Sequence, residues 1–318
     1  VAKRLESLMG TKITKLNDCV GDDVKAAIDK MKPADVILLE NLRFHPQEEA
    51  NDTDFSQALA SLGDVFINDA FGTAHRAHAS TEGVTRFLPS VAGFLLQKEI
   101  EYMGRVLTDP VKPFVAILGG SKVSDKIGIV ENLLDKVNTI LIGGGMAYTF
   151  LKSQGTPIGN SKLEQDKVEL AGNILKKARQ KGVLLMLPVD HVIVEKLEPG
   201  ANAKTTEDAE IPDGWMGVDI GPKTAEIFKK EVKQAKTVLW NGPLGVFEID
   251  PFGEGSKEIA ATLAGTSAVS ILGGGDTASC VAKFALTDKM THISTGGGAS
   301  LEYLEGRALP GIVALNDK

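Results

Sequence analysis

The sequence predicts an α/β protein of two doubly wound parallel-sheet domains joined by a helix, the N-terminal one incomplete. Three observations point there. A short β-branched or leucine-rich run that ends in glycine and passes into an amphipathic stretch recurs along the second two-thirds of the chain. Continuous apolar strands alternating with helices form parallel sheets covered on both faces. The chain has 318 residues, 43% of them apolar, enough for two cores at roughly 150 residues per domain. Finally, residues 97–107 read as a helix that Asp109-Pro110 stops, and the glycine content changes beside it. Residues 1–105 hold 7 glycines, and residues 106–318 hold the other 27 of 34. The boundary is therefore placed at 108/109, with the helix as a semi-rigid connector.

In the first part, helical patterns lie at about 1–9, 22–31 and 54–62. Asp35-Val36-Ile37-Leu38-Leu39 and Asp64-Val65-Phe66-Ile67-Asn68 read as buried strands. Two strands do not make an independent parallel sheet. Either a strand from elsewhere joins them or a piece is absent, and the chain reads as starting inside a domain. In the second part, Val115–Leu118 runs into Gly119-Gly120 and then a helix through Leu134. Thr139–Ile142 runs into Gly143-Gly144-Gly145 and a helix from about Met146. Thr237–Trp240 runs into Asn241-Gly242-Pro243. Val269–Leu272 runs into Gly273-Gly274-Gly275 and a helix from about Thr277. His292–Thr295 runs into Gly296-Gly297-Gly298 and a helix from about Ala299. All strands of a parallel sheet end on one edge, so these five glycine turns are expected to converge on one crevice, where such folds bind ligands. Glycine there lets backbone N–H groups approach phosphate, and helix N-termini add partial positive charge. One such turn could equally be glycine used for tightness; several on one edge favour a nucleotide or phosphate site.

Charge narrows the partners. Lys+Arg number 35 and Asp+Glu 42, a net −7, and neither part is basic. A large nucleic-acid or anionic-membrane face is not expected. No apolar run approaches the roughly 18 residues of a membrane helix, and residues 1–10 show no signal-peptide pattern. Cys19 and Cys280 lack metal spacing and form no evident framework, which fits a reduced, cytoplasmic setting, although two cysteines could in principle pair.

Standard signatures are missing: no GxxxxGK[ST], no HRD…N, no DFG. Gly273-x-Gly275-x-x-Ala278 fits a dinucleotide fingerprint but lacks the acid after the next strand. Lys122 and Lys126 stand four apart at the expected start of a helix, where they oppose its dipole unless a polyphosphate binds. Asp276 could be a helix cap, or beside phosphates could hold Mg²⁺. Glu248, in a rigid loop on the same edge, could meet a ribose or be merely exposed. Arg43 and Arg76 each follow a strand of the first part, and a pair of guanidinium forks could grip a small anion. His75-x-x-His78 has no third ligand nearby, so local hydrogen bonding is the favoured reading.

At ENLRFHPQEE (40–49), NDAFGTAHRAHAST (68–81), GGSKVSDKI (119–127), IGGGMAYTFL (142–151), GWMGVDIGP (214–222), WNGPLGVFE (240–248), GGGDTA (273–278) and HISTGGGASLEYLEG (292–306) the chain resembles the phosphoglycerate kinase family. The resemblance implies two Rossmann-like domains that close on each other, and reversible phosphoryl transfer between ATP and the carboxylate of 3-phosphoglycerate, giving ADP and 1,3-bisphosphoglycerate. It implies Lys122 at the transferring phosphoryl group and Lys126 at the nucleotide phosphates. Gly217, Asn241 and Glu248 would line the nucleoside and phosphate site. Gly274, Gly275, Asp276 and Thr277 would hold the phosphates, with Asp276 on Mg²⁺. Arg43 and Arg76 would bind phosphoglycerate, and Gly296 and Gly297 would face the transferred group. Residues 1–108 would be the phosphoglycerate domain, with the tail 302–318 packing back on it, and 109–301 the Mg-nucleotide domain. A monomer is implied.

The departure is at the start. Family members open with an R-x-D-F-N-V-P strand, an arginine-bearing segment and an S-H-L-G-R-P loop, and none stands here. By resemblance ~70 residues, about two βαβ units, precede Val1. The expectation is an active parent enzyme, and a 318-residue stretch that binds nucleotide but turns over slowly or not at all. A nucleotide-binding module without catalysis is the alternative, and a dinucleotide oxidoreductase the disfavoured third reading.

Overall fold

The computed structural model describes residues 1–316. The chain forms two compact units, one of Val1–Lys98 together with the tail from Ala308, the other of Glu99–Arg307. The division falls inside a helix, Phe94–Thr108, where the sequence predicts one at 97–107.

The first unit holds β1 (Ile13–Lys15), β2 (Val36–Leu38), β3 (Phe66–Asn68) and β4 (Ser90–Ala92). β1 pairs with β2 and β3 with β4, both parallel, in two separate two-stranded sheets. The two strands legible in the sequence, β2 and β3, thus pair with other partners rather than each other. Those partners are three residues long, too short for an alternation to show. Helices Ala2–Met9, Asp22–Ile28 and Thr53–Ala60 occupy the predicted places. The second ends at Ile28, short of residue 31. Asp52 caps the third, its Oδ1 accepting the Phe55 N–H at 2.8 Å. A small core of Cys19, Phe55 and Ala79 lies beneath, while Ile67 and Val91, paired in register, stay exposed. The tail is tied to this unit: the Gly311 N–H donates to Ala74 O at 2.8 Å, and Asn68 Nδ2 donates to Gly311 O at 3.0 Å. Asn316 exchanges two bonds with the Ser90 backbone, at 2.7 and 2.9 Å.

The second unit contains β5 (Phe114–Leu118), β6 (Thr139–Ile142), β7 (Leu184–Met186), β8 (His191–Val194), β9 (Lys204–Thr205), β10 (Met216–Ile220), β11 (Thr237–Asn241), β12 (Val269–Gly273) and β13 (His292–Ile293). Six of them form one parallel sheet in the order β13-β12-β11-β5-β6-β7. The order runs outward in both directions from the β5–β11 pair, so the sheet is doubly wound and its switch point lies there. Every side chain of β5 is buried, and they alternate between two cores: Phe114, Ala116 and Leu118 on one face, Val115 and Ile117 on the other. Helices Ile127–Leu133, Met146–Ser153 and Val168–Gln180 cover the first face, and Pro222–Gln234, Glu254–Ala264 and Gly275–Lys283 the second. Burying each large aliphatic side chain contributes about 1.5–3 kcal/mol. A smaller antiparallel sheet, β10-β8-β9, was not legible in the sequence; a bulge at Gly217–Asp219 breaks its register.

Candidate active site

Leu118 and Asn241, the last residues of β5 and β11, are partners in register. The turns that leave these strands are tied to each other and to the turn after β6. Gly119 N donates to Asn241 O at 3.0 Å, Gly120 N to Pro243 O at 2.9 Å, and Gly144 N to Leu244 O at 2.9 Å. Such backbone approach excludes side chains. A Cβ on Gly242, at φ +97°, would lie 2.3 Å from the Gly119 carbonyl oxygen, and one on Gly144, at φ +65°, 2.7 Å from the Gly120 backbone.

Above these turns lies a cavity of about 330 Å³, within the range of small-ligand sites. Its wall takes Gly120 and Ser121 from the turn after β5, Gly144 and Gly145 from that after β6, Pro243, Gly245, Val246 and Glu248 from that after β11, and Asp276 from the helix start that follows the turn after β12; Met216, Gly217 and Val218 of β10 close one side. Four of the five predicted turns therefore meet at one cavity. Gly296 and Gly297, after β13, are not on its wall. Their loop is held elsewhere: Glu99 accepts from Thr295 N–H at 3.1 Å and pairs with His292 Nε2 at 2.8 Å, while Tyr102 stacks on the His292 ring.

Of the predicted site residues, Gly217, Glu248 and Asp276 line the cavity. Asn241 is fully buried just beneath. Its Oδ1 accepts from Lys126 Nζ, and among the described residues its Nδ2 has no partner. A buried donor left unsatisfied costs about 1–3 kcal/mol, which an acceptor from a ligand would offset. Gly273 and Gly274 keep the space beside that nitrogen open: a Cβ on either would sit 3.0 or 3.4 Å from Nδ2. The Thr277 hydroxyl is already committed, accepting from Gly242 N at 2.7 Å and donating to Gly273 O at 2.8 Å. What Thr277 can offer a ligand is its backbone N–H, in the first turn of the helix Gly275–Lys283, where N–H groups lack intrahelical acceptors.

The lysines sit differently from expectation. The helix after β5 begins at Ile127, so Lys122 and Lys126 lie in the turn before it rather than on its first turn. Among the described residues neither forms an ion pair. Burial holds the Lys126 ammonium below its ordinary pKa, against the pull of Asp125, Asp276 and Glu305. Sequence reasoning missed Tyr148, Lys162 and Leu197 on the cavity wall. Lys162 stands in an irregular stretch with no periodicity to mark it.

In the first unit, Arg43 lies on a short turn, Leu42–Phe44, directly after β2, capped by Asn41. Its Nε is 3.6 Å from Glu49. Arg76 follows β3 and is exposed, its carbonyl accepting from Thr81 Oγ1 at 2.8 Å. His78 is buried beside Glu48, 3.8 Å away. His75 and His78 belong to no metal-capable cluster among the described residues.

A glycine-lined cavity at a sheet's switch point, with unpaired ammonium groups beside it, is a phosphate-ligand geometry that several families share. The sequence profile described as phosphoglycerate kinase matches residues 1–307. The chain belongs to the phosphoglycerate kinase family. Phosphoglycerate kinase from Pelotomaculum thermopropionicum is 56% identical over 318 residues, covering 100% of this chain and 81% of its own length. That from Moorella thermoacetica is 55% identical with the same coverage. The solved phosphoglycerate kinase from Coxiella burnetii superposes with a TM-score of 0.91 at 43% identity, over 98% of this chain and 79% of that one. The Pyrococcus horikoshii phosphoglycerate kinase gives 0.84 at 32% identity, over 99% and 80%. The activity is that of this family: an ATP-using phosphotransferase of glycolysis that acts on phosphoglycerate.

Proposed function

We propose that the cavity over β5 and β11 binds Mg-nucleotide and that the turns around it carry the phosphoryl transfer. The supporting observation is the convergence of an unsatisfied buried donor, Asn241 Nδ2, with Lys126, which enters no ion pair among the described residues, and the first turn of a helix. In this reading Lys126 and Asn241 meet the nucleotide phosphates, with Gly274, Gly275 and the Thr277 N–H beside them. Gly217 and Glu248 flank the nucleoside. Lys122 neutralises charge on the phosphoryl group as a carboxylate oxygen of 3-phosphoglycerate bonds to the γ-phosphorus and the bond to the ADP oxygen breaks. Gly296 and Gly297 face that group, and Arg43 and Arg76 hold the phosphoglycerate. Phosphoryl transfer relies on positioning and charge stabilisation, so unpaired cations held by turns are the machinery it needs.

The donor set fits Mg²⁺. Asp276 is exposed on the cavity wall at a helix start and enters no ion pair among the described residues. Mg²⁺ takes one or two carboxylates and substrate phosphate oxygens. When bound it would offset the charge of those phosphates.

The same reading assigns residues 1–108 with the tail 302–318 to phosphoglycerate and 109–301 to nucleotide, in a cytoplasmic monomer with no nucleic-acid or membrane partner. The net charge of −7 supports the absence of a nucleic-acid face, and no helix among the described residues is long and apolar enough to cross a membrane. Calorimetry with Mg-ADP tests the nucleotide site, phosphoglycerate-dependent ADP formation tests the transfer, and light scattering tests the monomer. Absence of Mg-ADP binding would remove the basis of the reading.

A further inference from the structure

The turn that carries the lysines has no sheet ladder along its middle. Its beginning is tied through Gly119 and Gly120, and Lys126 N closes on Val123 O at 2.9 Å. Between these points Ser121, Lys122, Ser124 and Asp125 are exposed, and only Val123 is buried, in the core against one sheet face. One carboxylate from elsewhere in the unit grips this stretch. Glu164 Oε2 accepts the Ser124 N–H at 3.0 Å and its Oε1 accepts the Ser124 hydroxyl at 2.6 Å. Burial works to raise the Glu164 carboxyl, but these hydrogen bonds outweigh it and hold it below its ordinary value.

Glu164 is itself anchored. Its N–H donates to Oγ1 of buried Thr149 at 3.3 Å, on the helix Met146–Ser153 that leaves the turn after β6. Two residues before it stands Lys162, on the cavity wall. Both carboxylate oxygens are used on Ser124 and neither on a lysine, so the turn is fixed by an anion that leaves the Lys122 and Lys126 charges free. A lysine in place of the clamp would add repulsion, and an apolar contact would give no direction. A carboxylate on backbone N–H groups gives short, directional, charge-assisted bonds.

We propose that Glu164 is a positioning residue for phosphoryl transfer, acting through Ser124 to fix the backbone that presents Lys122. The proposal rests on the reading of Lys122 and Lys126 as phosphate ligands. It differs from a general structural role in what it predicts. Loss of the clamp lets the turn wander while Val123, the sheet and the nucleotide cavity keep their own contacts, so kcat falls while ADP affinity and thermal midpoint stay near wild type.

The test is steady-state kinetics on the intact enzyme carrying Glu164→Gln, Ser124→Ala, the pair together, and Lys122→Ala, with the thermal midpoint and Mg-ADP affinity of each. For Glu164→Gln we expect kcat to fall about tenfold or more, since displacements of about an ångström cost up to about a hundredfold. Ser124→Ala should lose less, and the double variant should lose no more than Glu164→Gln alone, the mark of two residues acting through one contact. If Lys122→Ala abolishes transfer while Glu164→Gln and Ser124→Ala keep kcat within about twofold of wild type, the clamp proposal is overturned and the lysine reading stands. If Lys122→Ala turns over normally, the lysine reading itself falls. If Glu164→Gln loses kcat only together with ADP affinity and thermal midpoint, Glu164 is a structural tie and not a positioning residue.

Discussion

At the ammonium of Lys126, burial opposes the charge while Asp125, Asp276 and Glu305 favour it. Among the described residues its hydrogen-bond partner is the neutral Asn241 amide oxygen. A phosphate oxygen is a stronger partner, since hydrogen bonds to charged groups contribute about 1.5–3 kcal/mol. Lys126→Met should therefore weaken Mg-ADP binding by roughly tenfold to a hundredfold, using 1.4 kcal/mol per decade; calorimetry checks it, and unchanged affinity counts against the assignment. Asp276→Asn keeps the shape and the helix position but removes the charge a hard cation needs. It should raise the Mg²⁺ concentration for half-maximal turnover by about tenfold or more while leaving metal-free ADP binding at least as strong. Both residues stand out in the sequence as candidates because each sits beside a glycine-rich turn after a buried strand. Lys162 and Tyr148 were not legible, since what brings them to the cavity is the path of the chain and not a local pattern. The resemblance assigns Thr277 to the phosphates without naming an atom; its hydroxyl bonds Gly242 N and Gly273 O, which leaves the backbone N–H for that role.

The turns show what each element contributes. Gly242→Ala would drive a methyl group into the Gly119 carbonyl and should cost about 1–3 kcal/mol, seen as a lowered denaturant midpoint together with weaker nucleotide binding. Beneath the loop after β11 lies Asp219 on β10, buried, accepting from Gly255 N and Ile220 N at 2.8 Å each. Burial raises its pKa from 3.8 to about 8, with Glu254 and Glu258 adding repulsion against those two hydrogen bonds. The sign follows. A carboxyl whose pKa is raised in the folded state favours folding below its unfolded value near 4, and this contribution is lost as pH rises through about 8. The thermal midpoint of the wild type should thus decline more steeply between pH 5 and 9 than that of Asp219→Asn, and parallel curves would refute the assignment. Four of the five strand-to-glycine units were legible as apolar runs that form strands of four or five residues before a glycine turn, while the fifth, β13, is a strand of only two residues, His292–Ile293. The antiparallel β10-β8-β9 sheet was not, because its strands are irregular, bulged at Gly217, and partnered across distant segments.

On the scale of the molecule the two units differ in how well each covers its own sheets. The central strands β5 and β11 are buried at every position, while no residue of β2 is fully buried and Ile67 of β3 is exposed. Amide hydrogen exchange follows local opening. The β5 and β11 amides should therefore exchange slowest, and those of β1 to β4 faster by about a hundredfold or more, which corresponds to a gap of a few kcal/mol in opening free energy. Equal protection in the two units would contradict the burial pattern. The doubly wound sheet was legible from its apolar runs alone. The pairing in the first unit was not, because three-residue strands carry too little pattern to name their partners.

The β5–β11 junction has a further, mechanical meaning. Because strands are added outward from it on both sides, it is the single seam where the two halves of the six-stranded sheet meet, five residue pairs long. The cavity sits across the end of that seam, with wall residues from both halves. A ligand there acts as a clasp: pulling the halves apart must break its contacts as well as the ladder, so occupancy becomes resistance to load as well as affinity.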